Sequence, residues 1–448
     1  MTSRERILLA LQHQEPDRVP IDLGGMRSSG IHAIAYNKLK RYLNCEDKSV
    51  KIYDLGQQLA VVDNEIRERV TSDVVELKRL DGGFGTRIDS WKCIDMFPDG
   101  GEYYVPADFN PKVLADGSFA IEIEGKVVAL MPKGGYYFDS RYTPLANVSD
   151  RKEIDIILSD RITAEELDFL EAQAREIKKN TDCAILGSFG GNFIEMGHTL
   201  FGYQEFMERL ILDKSFIEYF LSKLEEKYLE ELDRYLDRVG KYIDIIVLGD
   251  DYGTQEDLQI SLKMFRQLFK PHLKALCDFI EKKSDVYIFL HSCGAVSKLI
   301  PDLIDTGIQI LNPVQTSAKG MSPEFLKKKF DKDLVFWGGG CDTQRILPFG
   351  TLEEVEDDVK KRIDIFAPGE GFVFATIHNI QKEVSPEKCL RLFDAARAYG
   401  KYRGEKYRGR FSVSEKARPR AISIPYFLNY PDHRSFSTKF MFFPFLLR

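Results

Sequence analysis

The stretch DVYIFLHSCG, at residues 285–294, ends a hydrophobic run with a histidine and a cysteine two positions apart. Residues two apart on a β-strand point to the same face, so His291 and Cys293 are expected on one side of the strand end. A second thiol, Cys341, follows another hydrophobic run, LVFW at residues 334–337. If both runs are strands of one parallel sheet, the three side chains can meet at its carboxyl end.

These three side chains carry the donor atoms of a zinc site. One imidazole and two thiolates leave one coordination position for water or substrate, as catalytic zinc sites require. The residues also lie where strands give way to glycine-containing loops, and such loops carry the active sites of α/β barrels. The pattern predicts that His291, Cys293 and Cys341 bind Zn²⁺, with buried structural residues as the alternative.

Strand-like runs alternate with longer helical patterns along the chain, which indicates βαβ units and a parallel sheet. Strands are predicted at Val19–Leu23, Val74–Leu77, Cys183–Gly187, Ile243–Leu248, Asp285–Leu290, Ile308–Asn312, Leu334–Gly338 and Gly371–Thr376. Helical patterns include Phe216–Arg238, Leu258–Lys282, Ala295–Asp305 and Leu352–Ile365. Eight strands favour an α/β fold of the (β/α)8 TIM barrel type over an open doubly wound sheet.

Two segments differ from this alternation. Residues 82–142 are rich in Gly, Asp and aromatic residues and contain short alternating pieces. We interpret them as an antiparallel β insertion after barrel strand two, either a lid over the mouth or a surface or oligomer contact. Residues 1–400 are thus predicted to form the barrel with its insertion. The basic and aromatic residues 401–448 are predicted to be a poorly ordered C-terminal tail, with a membrane or partner contact as the alternative.

The composition excludes several classes of protein. The 448 residues are 44% hydrophobic and 30% charged, as in globular proteins, and the net charge of −7 gives no electrostatic basis for binding nucleic acid. No apolar run is long enough to cross a bilayer, and the first residues predict a helix rather than a signal peptide. Seven irregularly spaced cysteines indicate a reducing cytoplasm rather than a disulfide framework.

Polar residues also follow other predicted strands, at the same edge of the sheet. After the strand 243–248, one of Asp250 and Asp251 is predicted to act as acid or base, to hold a substrate cation or to orient His291. The alternative is that an aspartate here only caps a helix. After the last strand, His378 is predicted to bind substrate or carry a proton.

Three further residues are candidates for binding substrate. Arg27 lies in the glycine-bearing loop 24–30 and could pair with a substrate carboxylate. Ser188 lies in the loop 187–193, which offers backbone amides at a helix start. Asn379 follows His378. Their common position at one edge of the sheet is what makes them candidates.

Several motifs within residues 1–400 are those of a known family. They are SRER at 3–6, EPDRVP at 15–20, the block from His291 to PDL at 301–303, LNPVQ at 311–315, and the block from FWGG at 336–339 through DTQ at 342–344 to PFGT at 348–351. In these motifs the chain resembles the uroporphyrinogen decarboxylase superfamily. The resemblance implies a (β/α)8 barrel.

Two chemistries compete within that superfamily. The chain resembles the zinc-dependent corrinoid (cobalamin) methyltransferase branch in its His-x-Cys motif and later cysteine, which implies His291, Cys293 and Cys341 as zinc ligands. The metal-free decarboxylase branch has an arginine-rich loop after its first strand, whereas this chain has only Arg27 there. The decarboxylase's aspartate motif after strand two is not recognisable either, because Asp73 lies before that strand.

The resemblance implies a methyltransferase that moves a methyl group between a corrinoid on a corrinoid-binding partner protein and a small-molecule donor or acceptor, a thiol, methoxy compound or amine. Zinc would lower the pKa of a thiol or act as a Lewis acid on the methoxy oxygen or amine. Asp250 or Asp251 would be the local carboxylate. The alternatives are uroporphyrinogen decarboxylase, a lyase of porphyrin biosynthesis, and a non-catalytic tetrapyrrole- or corrinoid-binding protein.

Overall fold

The fold is built on a sheet of parallel strands, with helices and smaller sheets around it. The computed structural model describes residues 1–135, 137–158 and 162–402. Its strands are β1 (Val50–Asp54), β2 (Leu59–Ala60), β3 (Val74–Leu77), β4 (Asp81–Gly83), β5 (Thr86–Arg87), β6 (Trp91–Ile94), β7 (Tyr103–Pro106), β8 (Lys112–Val113), β9 (Phe119–Ile123), β10 (Lys126–Met131), β11 (Asp139–Ser140), β12 (Ala184–Gly190), β13 (Ile245–Gly249), β14 (Tyr287–His291), β15 (Ile310–Asn312), β16 (Val335–Trp337) and β17 (Phe372–Val373).

Most of the helices follow the strands of the large sheet. They are α1 (Ser3–Leu11), α2 (Ala33–Tyr42), α3 (Asn64–Val70), α4 (Arg151–Ile157), α5 (Ala164–Asn180), α6 (Ile194–Phe201), α7 (Tyr203–Leu212), α8 (Lys214–Val239), α9 (Leu262–Met264), α10 (Lys270–Lys283), α11 (Ile300–Thr306), α12 (Pro323–Phe330), α13 (Ile346–Phe349), α14 (Leu352–Phe366) and α15 (Pro386–Tyr399). A π-helical turn, Phe265–Phe269, joins α9 to α10.

The large sheet has the strand order β17-β16-β15-β14-β13-β12-β3, and all its pairings are parallel. One segment bonds to both of its edges: Ile21 O accepts from Asp73 N at 2.7 Å, and Pro20 O accepts from Phe374 N at 2.8 Å. The sheet is therefore curled into a TIM-barrel-like arrangement, which confirms the predicted α/β class. The predicted strand Val19–Leu23 is reduced to these contacts and an isolated parallel bridge between Ile21 and Phe374.

The other seven predicted strands each overlap a strand of this sheet. Val74–Leu77 agrees at both ends, and the remaining six begin one or two residues later than predicted. The predicted helix Ala295–Asp305 begins only at Ile300. Turns occupy the residues before it.

Helix α1 packs against the amino-terminal end of the sheet. Thr2 and Glu5 form a capping box at its start. Its apolar side forms one buried cluster with inward-facing strand residues; the cluster includes Ile7, Ala10, Leu11, Val74, Ala184, Ile245, Phe289, Ile310, Trp337 and Val373. Arg6 and Arg18 reach the buried Asp73 at 2.6 and 2.7 Å, so the helix is also held by charge pairing. Asp73 therefore has a structural role here.

Between β3 and β12 the strands pair mainly antiparallel. β4 pairs with β5, β6 with β7, and β8 to β11 form a second sheet in the order β11-β10-β9-β8. β7 also pairs parallel with β1, so a mixed sheet β2-β1-β7-β6 connects this region to residues that precede β3. No strand was predicted at β1, which carries Tyr53.

Within the part of the chain that the structure describes, none of the helices combines the length and apolar character needed to cross a membrane. The predicted tail, 401–448, lies outside the described residues from position 403 onward.

Candidate active site

Two neighbouring strands bring the predicted aspartates and the His-x-Cys motif together. β13 ends at Gly249, which lies opposite His291 at the end of β14. The hydrogen bonding between the two segments continues just beyond β13, because Asp250 N donates to His291 O at 2.9 Å. As a result, one ligand atom from each of Asp251, His291 and Cys293 lies within 4.8 Å of the other two.

The three ligand atoms surround one small volume. His291 Nε2 lies 3.4 Å from Cys293 Sγ and 3.7 Å from Asp251 Oδ1. The same Asp251 oxygen accepts a hydrogen bond from Cys293 N at 2.7 Å, which fixes the carboxylate against the loop. Nitrogen, sulfur and carboxylate oxygen are the donors that Zn²⁺ takes in proteins.

Asn312, at the end of the adjacent strand β15, selects the tautomer of the neutral His291 ring. Asn312 Nδ2 donates to Trp337 O at 2.8 Å, so Asn312 Oδ1 is an acceptor; it accepts from Ser28 Oγ at 2.8 Å. His291 Nδ1 lies 2.6 Å from this oxygen and must donate to it. The lone pair of the imidazole is therefore on Nε2, which faces Cys293. Hydrogen bonds of this kind orient metal-binding histidines.

The surroundings of this cluster are rich in negative charge. Burial raises the pKa of the Cys293 thiol, and the carboxylates of Asp251 and Glu195 raise it further. Burial, followed by the charges of Asp251 and Asp250, raises the pKa of Glu195 well above its usual value. A dication at the cluster would relieve this repulsion, so the residues present fit a divalent metal.

Sequence reasoning missed Glu195, which lies in the first turn of α6. Its backbone N–H donates to Asp250 Oδ1 at 2.9 Å, and Asn192 Nδ2 lies 3.4 Å from Glu195 Oε2. The available signal was an acidic residue soon after a predicted strand, at the edge where the other candidates lie.

The structure does not bring Cys341 into this group. Its side chain is fully buried, and its thiol lies 4.0 Å from Asp342 O. Burial and the carboxylate of Asp358 on α14 raise the pKa of this thiol. Cys341 thus follows its strand as expected, but its sulfur faces a helix beside the barrel.

The two adjacent aspartates have different contacts. Asp250 Oδ2 accepts from Phe193 N at 2.8 Å and Ile194 N at 2.9 Å, so Asp250 caps the start of α6. Burial raises the pKa of Asp250 to about 6, although its backbone donors lower it. Asp251 is the aspartate that joins His291 and Cys293.

A cavity of about 160 Å³ lies beside His291. Its apolar wall includes Met26, Phe189, Met196, Val247 and Leu248. Of the candidate substrate residues, Arg27, Ser188 and His378 line this cavity. Asn379 is not a lining residue, but its Nδ2 donates to Oε1 of the lining residue Gln57 at 2.6 Å.

Two arginines of the cavity wall are held by carboxylates. Arg27 Nε pairs with Asp54 Oδ2 at 2.7 Å, and Arg79 pairs with Glu166. Burial, with a smaller effect of His291, lowers the pKa of His378 to about 4. His378 is therefore neutral near pH 7, and it faces the cavity as a hydrogen-bonding group rather than a cation.

A polar site at the carboxyl ends of a curled parallel sheet is typical of TIM-barrel-like α/β enzymes. The chain matches the uroporphyrinogen decarboxylase (URO-D) family over residues 132–399, which is more than half of its length. The chain belongs to this family, which confirms the predicted superfamily. No curated protein matches the chain.

A solved structure of a methyltransferase supports this fold. A methyltransferase from Methanosarcina mazei is similar to this chain with a TM-score of 0.56 and 18% identity, covering 89% of this chain and 99% of its own. At this identity the likeness shows the fold alone. An endo-1,4-beta-xylanase from Penicillium canescens gives a TM-score of 0.30 and 13% identity, covering 54% of this chain and 93% of its own, and supports no argument.

Proposed function

We propose that this chain is a zinc-dependent methyltransferase of the uroporphyrinogen decarboxylase family. It would move a methyl group between a corrinoid on a partner protein and a small thiol, methoxy or amine substrate. The observation that carries the proposal is the convergence of three ligand atoms: His291 Nε2 lies 3.4 Å from Cys293 Sγ and 3.7 Å from Asp251 Oδ1. The fold shared with a methyltransferase is consistent with it.

His291, Cys293 and Asp251 would hold the zinc, and three protein ligands leave a position for the substrate. Bound zinc would supply a Lewis acid that lowers the pKa of a thiol or polarises a methoxy oxygen or amine. Asp251 takes the position that the sequence assigned to Cys341. For Cys341 to be a ligand as well, its thiol would have to leave its contact with Asp358.

The chain's own residues prepare the site for this chemistry. Asn312 accepts from His291 Nδ1, so the lone pair of the neutral ring lies on Nε2, and this hydrogen bond orients the ring. Apolar residues such as Met196 and Val247 exclude water from the cavity wall. His378, neutral near pH 7, orients the substrate by hydrogen bonding.

The size and charge of the cavity favour a small substrate over a tetrapyrrole. Its volume of about 160 Å³ is below the roughly 300–1,000 Å³ of pockets for drug-sized ligands. Arg27, the arginine of the first loop, is paired with Asp54. A porphyrinogen with several carboxylates would need more cations to pair with than this wall provides.

Metal analysis of the purified protein, followed by methyl transfer from free methylcobalamin to a small thiol, tests the proposal. We expect about one zinc per chain in the wild type. His291→Ala should lose both the zinc and the transfer, whereas Cys93→Ser, at an exposed thiol, should keep both. Wild-type protein that transfers methyl groups without zinc, or His291→Ala that keeps its zinc, would contradict the proposal.

A further inference from the structure

Two buried polar atoms of the cavity wall have no hydrogen-bond partner among the described residues. They are Tyr53 Oη and Glu76 Oε2. Tyr53 is 6% exposed and Glu76 is 4% exposed, and both line the cavity that reaches His291. Burying a polar group without a hydrogen bond is unfavourable, so the two atoms mark a place where a ligand group would be stabilised.

The immediate neighbours of the two atoms are well defined. The other oxygen of Glu76, Oε1, accepts from Ser188 Oγ at 3.1 Å. Lys78 Nζ lies 3.4 Å from Glu76 Oε2 and 4.8 Å from the centre of the Tyr53 ring. Lys78 thus already balances the charge of Glu76, although Glu76 Oε2 still lacks a hydrogen bond.

Tyr53 and Glu76 are close to each other but separate from the candidate metal ligands. Both groups lie beside the same ammonium, because Lys78 Nζ is 3.4 Å from Glu76 Oε2 and 4.8 Å from the centre of the Tyr53 ring. Glu76 lies on β3, three strands along the sheet from β14, which carries His291. Tyr53 comes from β1, outside the large sheet. The cavity therefore has a second polar point, across from His291.

We infer that Tyr53 and Glu76 form a subsite for a hydroxyl group of the substrate. The inference rests on the proposed function, because the hydroxyl-bearing molecule would be its small methyl donor or acceptor. A hydroxyl is both a donor and an acceptor, so its hydrogen would bond to Glu76 Oε2 while its oxygen accepts from Tyr53 Oη.

Other substrate groups fit these two atoms less well. A carboxylate or an ether oxygen has no hydrogen to give to Glu76. An ammonium group would meet Lys78, whose charge already lies beside the same oxygen and the same ring. The substrate class is thus a small molecule with a mainly apolar body and one hydroxyl.

Calorimetric binding of matched probes to the full-length protein tests the subsite. Phenol is compared with toluene, and 2-methoxyethanol with 1-methoxypropane, so that each pair differs by a hydroxyl in place of a methyl. We expect each hydroxylated probe to bind the wild type about 10–100-fold more tightly than its partner. Equal affinity within both pairs, or no binding of any probe, would overturn the inference.

Variants separate this effect from general damage. Tyr53→Phe and Glu76→Gln should each reduce the preference about 10-fold or more. Tyr235→Phe is the matched control, because its buried hydroxyl also has no partner but does not line the cavity. If Tyr235→Phe changed the preference as much as Tyr53→Phe, the assignment would be wrong. Should one variant fail to fold, the other and the wild-type comparison still decide.

The zinc measurement makes the two proposals distinguishable. Hydroxyl preference in a protein that binds no zinc would keep the subsite and reject the proposed methyltransferase. Zinc binding and methyl transfer without hydroxyl preference would do the reverse.

Discussion

Cys293 and Cys341 follow strands of the same sheet, β14 and β16, but their thiols lie in opposite surroundings. Cys293 is partly exposed and lies beside His291 and Asp251. Cys341 is fully buried against Asp358 of α14. The two regions show that a position after a barrel strand does not by itself direct a side chain into the mouth; the conformation of the following loop decides.

The loop before Cys341 contains the backbone geometry behind this difference. Gly338 has a φ of 121°, and a Cβ there would lie 2.2 Å from Pro313 O, so the chain at this point requires glycine. After this turn the carbonyl of Cys341 accepts from Ile377 N, and its side chain packs outward. Cys293, in contrast, is held by the bond from its own N–H to Asp251.

The largest expected effect comes from replacing Cys293 by serine, with Cys341→Ser as the comparison. Cys293→Ser should lose most of the zinc, because it removes one of the three proposed ligand atoms. Cys341→Ser should keep the zinc and change the free energy of unfolding by only about 1 kcal/mol. Zinc content by elemental analysis and unfolding in urea measure both. Loss of zinc in Cys341→Ser would show that this thiol turns into the site, as the sequence predicts.

A smaller effect is expected from substituting Asn312, whose Oδ1 accepts from His291 Nδ1. Asn312→Leu removes the acceptor that fixes His291, and zinc affinity should fall about 10–100-fold. Competition with a chelator of known affinity measures this. Asn37→Leu is the control, since Asn37 is a buried amide bonded to Asp99 far along the chain. Unchanged affinity in Asn312→Leu would mean that the ring needs no such support.

Substitutions of the two adjacent aspartates should have different effects. Replacing Asp250 should mainly lower stability, and replacing Asp251 should mainly weaken metal binding. Asp250→Ala leaves the first amides of α6 without their acceptor and should lower the free energy of unfolding by about 2 kcal/mol. Asp251→Asn should weaken zinc binding with a smaller change in stability. Thermal unfolding and zinc content, measured on both variants, test this division. The reverse pattern would exchange the two assignments.

The smallest effect concerns the reactivity of the thiols in metal-free protein. The pKa values of Cys293 and Cys341 are raised, so at pH 8 each holds less thiolate than an ordinary cysteine. Both should react with iodoacetamide more slowly than the exposed Cys93, and their rates should still rise above pH 9. Peptide mapping by mass spectrometry follows each site. Faster alkylation of Cys293 than of Cys93 would contradict the expectation.

Local sequence pattern predicted the parts of the site that depend on one strand. The alternation of β14 places His291 and Cys293 on one face, and the hydrophobic runs locate seven strands of the sheet. The choice between Asp251 and Cys341 depends on how loops from different strands pack, which local alternation does not encode. Tyr53 was missed because β1 pairs with β7, about fifty residues later, and a local pattern does not show that pairing.

Helix α1 has a consequence for access to His291. Its apolar side fills the amino-terminal end of the curled sheet, beneath the layers of inward-facing strand residues. Within the described part of the chain, α1 closes that end, and the cavity opens at the opposite, carboxyl-terminal end of the strands. If two substrates react at His291, as the proposed function requires, both would have to enter through this one opening. The order in which they arrive and leave is then constrained by the architecture as well as by the chemistry.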